Sequence, residues 1–222
     1  MVNILRLTLN FSAPLIGVGI VFLWVSQVSG QTPFTQVKLG NQIWMSQSLG
    51  LINFQNGDHI ETADNAQDWV AMKETPRCAS PAYDASGSLA KGKVYSMEAI
   101  TDPRGICPKG WRLPTQEDVE GLRRFTWNPE AQRSDVGVLK TATGWAEKNG
   151  NDKTGFHASP DGFITLSGRF LESYPHGGKA VRYWYLDAMG KPAYFSIDYL
   201  HEEIVTDSPF YGEGYFCRCI KN

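Results

Sequence analysis

The stretch that decides the fold is ICPKGWRLPTQEDVEGLRRF, residues 106–125. Thr115 follows a proline and can accept the amide hydrogen of Asp118, while the acidic residues near it suit the positive end of a helix. Three apolar residues then recur at a spacing of three, which is typical of a buried helical face: Val119, Leu122 and Phe125. The stretch therefore predicts a helix that begins at Thr115 and packs one side against the core.

Short strands are predicted on both sides of this helix. Residues 37–45, VKLGNQIWM, read as two strands around a Gly-Asn pair, which a type II′ turn accepts. A short helix is predicted over residues 66–73 in an otherwise loop-like region. Further extended segments are separated by turn residues: 93–97, 163–166, 181–186, 193–197 and 216–220. The pattern predicts an α+β fold of short antiparallel strands with one or two helices and long loops.

The first thirty residues differ in kind from the rest. Arg6 is their one charged side chain, and it precedes an apolar run over residues 11–28 and the small residues Ser29 and Gly30. This order is typical of a secretory signal peptide, with the cut expected before Gln31. The apolar run is long for a signal, so an uncleaved membrane anchor is the alternative. We expect a signal peptide over 1–30, one domain over 31–222, and export through the inner membrane to the periplasm or cell surface.

Charge argues against nucleic acid as a partner. The chain has 21 Lys and Arg against 23 Asp and Glu, a formal net charge of −2, with no basic block. Binding to a phosphate backbone needs a concentrated positive surface. A membrane contact is expected only through the first thirty residues, if they remain uncleaved.

Four cysteines lie in the expected mature part: Cys78, Cys107, Cys217 and Cys219. An even number in an exported chain predicts disulfides. On one strand, the Cα atoms of Cys217 and Cys219 would lie about 6.5 Å apart with nearly parallel side chains, which disfavours a bond between them. Each is therefore expected to reach Cys78 or Cys107, and the pairing stays open. No Cys-x-x-Cys pattern and no histidine at ligand spacing occur, so we expect no metal and no cofactor.

Several motifs resemble, in order, those of the Fibrobacter succinogenes major paralogous domain. They cover residues 36–221, and the most specific of them is CPKGWRLP at 107–114. The others lie at 37–45, 92–95, 139–140, 144–145, 155–156, 160–162 and 217–221. The chain is thus identified as a member of this family.

The resemblance implies properties that the spacing alone does not. The family is similar to C-type-lectin-like and formylglycine-generating-enzyme-like domains, which implies an α+β fold whose two chain ends pair in one small sheet. Cys107 and Cys219 occupy the positions of the family's recurrent cysteine pair, which leaves Cys217 with Cys78 as an added pair. Such domains are common in secreted and surface proteins of the Fibrobacteres and Bacteroidetes.

A cluster of aromatic residues near residues 183–199 is the candidate binding surface: Tyr183, Trp184, Tyr185, Tyr194 and Tyr199. Sugar-binding proteins stack such rings against pyranoses. Alternation along a strand puts Tyr183 and Tyr185 on one face and Trp184 on the other, so part of the set belongs in a core. Core packing or a partner contact is favoured over sugar stacking.

We expect an exported, non-catalytic interaction module of the bacterial envelope, a subunit or accessory of a surface or outer-membrane protein complex. The partner expected is an envelope or outer-membrane protein. No H-E-x-x-H or G-x-S-x-G motif occurs, and no catalytic residue is assigned. One alternative is a lectin-like protein that binds polysaccharide. The other is a copper-dependent oxidase of the formylglycine-generating type, which would use Cys217 and Cys219.

Overall fold

The computed structural model describes residues 34–84, 91–146, 148–172 and 179–222. The expected signal peptide at 1–30 lies outside these ranges and stays a prediction. Residues 34–222 cluster as one unit. Among the described residues, no helix combines the length and the apolar character needed to cross a bilayer.

The described strands and helices are short, as the sequence predicts. The strands are β1 Gln36–Leu39, β2 Gln42–Met45, β3 Glu61–Ala63, β4 Arg77–Ala79, β5 Val94–Ser96, β6 Trp111–Arg112, β7 Trp127–Asn128, β8 Arg133–Ser134, β9 Phe163–Ile164, β10 Phe170–Leu171, β11 Ala180–Leu186, β12 Pro192–Asp198, β13 Val205–Asp207, β14 Gly214–Phe216 and β15 Ile220–Lys221. The helices are α1 Ala66–Ala71, α2 Met97–Thr101 and α3 Gln116–Thr126. Short 3-10 turns follow at Pro81–Tyr83 and Val136–Val138.

A small sheet holds the first and the last of these strands. β1 and β2 form the predicted hairpin, with Val37 opposite Trp44 and a positive φ of 59° at Gly40. β15 lies between β2 and β6, so the sheet order is β1-β2-β15-β6. The two ends of the domain therefore pair in one small sheet, as the resemblance implies.

A larger sheet has the order β13-β12-β11-β14-β5-β4-β3, and β9 joins it by pairing with β14 and β10. The β11–β12 hairpin is its longest pairing, with Val181 opposite Ile197. Most neighbours are antiparallel, but β3–β4 and β11–β14 are parallel. The fold is α+β, and its main sheet is mixed rather than purely antiparallel.

The helix predicted from residues 106–125 is present as α3. Thr115 is its N-cap and forms a capping box with Asp118, which accepts the Thr115 amide hydrogen at 2.7 Å. Val119 and Leu122 are fully buried, but Phe125 is 38% exposed. The prediction of a buried Phe125 is wrong: the ring lies near Gly40 of the β1–β2 turn, and a glycine has no side chain to cover it.

The core lies on both faces of the large sheet. Alternation along β11 sends Tyr183 and Tyr185 into one cluster with Trp44, and Trp184 into a second cluster with Tyr215. Because both faces are covered, nearly every side chain of β11 is buried.

The predicted strand over residues 216–220 is wrong in one respect. β14 ends at Phe216 in the large sheet, and β15 begins at Ile220 in the small sheet. Between them, the carbonyl groups of Cys217 and Cys219 accept hydrogen bonds from Leu49 at 2.8 Å and from Met45 at 3.0 Å. The chain therefore crosses from one sheet to the other at its two cysteines.

Candidate functional site

One disulfide links the crossover segment to the loop before β6. Cys107 and Cys219 are bonded, with their Cα atoms 5.9 Å apart and a separation of 112 positions in the sequence. This is the pairing that the resemblance implies. The bond fixes the end of the domain to its middle.

Cys78 and Cys217 are free, buried thiols, so the second disulfide expected between them is not present in the structure. Cys78 lies on β4, opposite Tyr95 of β5, and Cys217 follows β14 on the other side of β5. Two strand spacings amount to about 9–10 Å, and bonded cysteines need Cα atoms within about 7 Å. The intervening strand therefore separates the two thiols.

Three sulfurs nevertheless lie close together. Cys217 Sγ is 3.9 Å from Cys219 Sγ, and the sulfurs of Cys107, Cys217 and Cys219 all lie within 4.8 Å of one another. Burial raises the pKa of the Cys217 thiol, which keeps it protonated and slow to attack the neighbouring disulfide. With the Cys107–Cys219 bond formed, the group offers one thiol, fewer than a soft metal ion would need.

The aromatic residues proposed as a binding surface are mostly core. Tyr183, Trp184, Tyr185 and Tyr194 are buried, and Tyr199 is half-buried. Trp184 Nε1 donates to the carbonyl oxygen of Tyr95 at 2.8 Å inside the sheet. The prediction of an exposed aromatic platform is therefore wrong, because strands and loops cover both faces of the β11–β12 hairpin.

A different set of apolar side chains is exposed where three segments meet. α1 contributes Val70, the β9–β10 turn contributes Leu166, and the loop before β14 contributes Phe210 and Tyr211. Their exposed fractions are 41%, 60%, 69% and 55%. We refer to these four residues as the apolar patch. The sequence alone does not reveal them, because they lie on separate short segments that share no spacing pattern.

Hydrogen bonds hold the segments of the apolar patch together. Trp69 Nε1 donates to the Gly212 carbonyl at 2.8 Å, and the Tyr211 hydroxyl donates to the Lys73 carbonyl at 3.2 Å. A Cβ atom on Gly168 would lie 2.3 Å from the Ala66 carbonyl oxygen, so the β9–β10 turn lies directly against α1. The three segments that carry the apolar patch are therefore held against one another by these contacts.

A cavity of about 340 Å³ lies elsewhere, between the β7–β8 hairpin and the loop after β12. Its charged groups already have partners. Glu202 pairs with Arg133 at 3.2 Å and with Lys148 at 3.7 Å, and Lys140 Nζ donates to the Asp198 carbonyl at 2.5 Å. These pairs leave little charge to recognise a ligand.

Comparison with known proteins gives one clear match. The model of the Fibrobacter succinogenes major domain family matches residues 37–221. That range begins in the β1–β2 hairpin and ends in β15, and it includes the stretch before α3 and both disulfide cysteines. No match was found among curated proteins or among solved structures. The chain therefore belongs to the Fibrobacter succinogenes major domain family.

Proposed function

We propose that this protein is a non-catalytic interaction module, exported to the bacterial envelope, that docks an envelope or outer-membrane protein through the apolar patch. The observation that carries the proposal is the apolar patch itself. Three of its four side chains are more than half exposed, and hydrogen bonds and close contacts join the segments that carry them. Contiguous exposed apolar surface on a soluble domain is typical of a protein interaction site.

The chemistry of the apolar patch suits a protein partner. Phe210 and Tyr211 are aromatic anchors of the kind that dominate protein interfaces, and Leu166 and Val70 widen the contact. Glu74, Glu98 and Arg77 all act on the Tyr211 hydroxyl, and Glu98 pairs with Arg77 at 3.0 Å. The rim on this side therefore carries both charges, and the partner surface is expected to have an apolar centre with a mixed polar rim.

The two alternatives lose their structural support. The polysaccharide-binding alternative rested on aromatic residues of which four are buried. The copper-oxidase alternative needs both Cys217 and Cys219 as thiols, whereas Cys219 is bonded to Cys107. We also propose that the fold is of the C-type-lectin-like kind, which the pairing of β1, β2 and β15 in one small sheet supports.

Site-specific photo-crosslinking in the host tests the docking proposal. A photoreactive residue at Phe210 or at Leu166 is expected to give the same crosslinked envelope protein. Met189, which is 74% exposed on the β11–β12 turn, is the matched control and is expected to give none. The double change Phe210→Ser and Val70→Ser should abolish the product formed from Leu166 while the melting temperature stays unchanged.

Two outcomes would overturn the proposal. One is identical products from Met189 and Phe210, and the other is no product from either position of the apolar patch. Export is tested separately by cell fractionation and by sequencing the amino terminus of the purified protein. We expect the mature chain to begin at Gln31, in the periplasmic or outer-membrane fraction.

A further inference from the structure

The buried arginines of the described ranges differ in one respect. Arg77 pairs with Glu98 at 3.0 Å, and Arg182 lies 3.8 Å from a carboxylate oxygen of Glu213. Arg218 is only 2% exposed, and it makes no ion pair with any described residue. Burying a cation costs free energy unless an opposite charge compensates for the lost hydration. Arg218 is therefore the exception that needs an explanation.

Contacts hold the Arg218 guanidinium in a fixed position. Its Nη1 donates to the Phe156 carbonyl, and its Nη2 donates to the His157 carbonyl at 3.1 Å. The rings of Phe156 and Tyr183 have their centres 4.2 and 5.0 Å from its Cζ. Its Nε has no hydrogen-bond acceptor among the described residues. The guanidinium is thus held rigidly, with one donor unused and no ion pair to a described residue.

Arg218 lines a cleft of about 270 Å³ that is otherwise rich in hydrogen-bonding groups. The other lining residues include Ser46, Gln47, Ser48, Lys91 and Ser159. The volume lies just below the usual range for ligand sites, about 300–1,000 Å³, so the cleft suits a ligand as small as one sugar ring. The hydroxyl and amide groups can pair with several hydroxyls of a ligand, and Lys91 is an exposed second cation.

Asp161 lies in the same cleft but does not neutralise Arg218. Its carboxylate accepts a hydrogen bond from the Ser159 hydroxyl, and it forms no ion pair with the guanidinium. Burial raises the pKa of Asp161, and the attraction of Lys91 and Arg218 does not offset that effect. Asp161 and Arg218 attract each other, which offsets part of the cost of burying the guanidinium, but no ion pair joins the two side chains. A direct ionic partner for Arg218 is therefore left for a ligand in the cleft to supply.

We propose that this cleft binds the carboxylate of a small hydroxylated acid, of the uronic acid type. Arg218 would hold the carboxylate, Lys91 would add attraction at the rim, and the serine hydroxyls would bind the sugar hydroxyls. A guanidinium and a carboxylate form strong charge-assisted hydrogen bonds. A monoanion fits better than a phosphate dianion, because each negative charge brought near Asp161 adds a repulsion that Arg218 and Lys91 have to outweigh.

Titration calorimetry of the oxidised, purified protein with D-galacturonic acid tests the site. Galactose offers matching hydroxyls without the carboxylate, acetate offers the carboxylate alone, and inorganic phosphate offers a dianion. We expect saturable binding of galacturonic acid, and binding at least about tenfold weaker for each of the other three. Galactose or phosphate binding as tightly as the acid, or no saturation by about 10 mM acid, would overturn the proposal.

Variants separate binding from folding. Arg218→Gln should abolish binding, but the change at a buried residue can also unfold the domain. Lys91→Gln changes an exposed residue and should weaken binding several-fold at unchanged melting temperature. Lys148→Gln, at the other cavity, is the matched control and should bind as the parent does. Equal affinities for the two lysine variants would contradict the proposal, and none of these results bears on crosslinking at Phe210.

Discussion

Loss of the Cys107–Cys219 bond is expected to destabilise the domain by about 5 kcal/mol. The bond closes a loop of 112 residues. In the chain-entropy account, a cross-link over this length removes about 16 cal/mol/K from the unfolded chain, which at room temperature is about 5 kcal/mol. A domain of this size loses about 2–4 °C in melting temperature per kcal/mol, so the expected fall is roughly 10–20 °C.

The design of the variant has to take account of Cys217. Its sulfur lies within 4.8 Å of those of Cys107 and Cys219, so in Cys219→Ser it can bond to Cys107 instead. The informative comparison is Cys217→Ser/Cys219→Ser against Cys217→Ser alone, because the second protein keeps the native bond. Cys219→Ser alone is expected to retain part of the stability, with a Cys107–Cys217 link in its peptide map.

Urea unfolding, followed by tryptophan fluorescence, gives the free energies of all three variants under oxidising conditions. A difference below about 1 kcal/mol between the double variant and Cys217→Ser would refute the reasoning. So would a Cys219→Ser protein that is as unstable as the double variant and forms no new link.

Three other predictions follow from the buried groups. Cys78 and Cys217 are buried thiols, so thiol titration should find no reactive cysteine in the native protein and two reactive cysteines after unfolding without reductant. Four reactive cysteines after unfolding would show that the Cys107–Cys219 disulfide is absent. Asp118→Asn should lower the free energy of unfolding by about 2 kcal/mol at pH 7. Although burial raises the pKa of Asp118, hydrogen bonds led by that from Arg112 outweigh it and lower the pKa. The stability from Asp118 is therefore present above its unfolded pKa and lost as the pH falls through its lowered folded pKa, so urea midpoints of the two proteins should converge in acid. Trp184→Ala should lower the free energy of unfolding by about 3–5 kcal/mol, which thermal denaturation measures. An unchanged melting temperature would contradict the burial of Trp184 in the core.

The parts of the fold that local chemistry determines could be predicted from the sequence. The Gly40 turn and the Thr115–Asp118 capping box each depend on a few adjacent residues, and both are present. The alternation of Tyr183 and Trp184 across β11 follows from strand geometry and is confirmed. The exposure of Phe125 could not be predicted, because it depends on the β1–β2 turn, which is distant in sequence.

The sites were harder to predict than the fold. Whether Tyr185 or Tyr194 is exposed depends on what covers each face of the sheet, and strand alternation alone does not show this. The apolar patch forms from segments far apart in the chain, so no window of sequence contains it. Arg218 did leave a signal, since a charged residue between two cysteines in an otherwise apolar segment is unusual. Only the structure shows that Arg218 forms no ion pair with a described residue.

The position of β15 between β2 and β6 has a consequence for biosynthesis. While a ribosome or a translocon releases the chain from its amino end, β2 keeps one edge open until Ile220 emerges. Open strand edges invite pairing with other chains. In the export that we propose, this edge of β2 therefore stays open until the last strand is released, and it closes in a single late step.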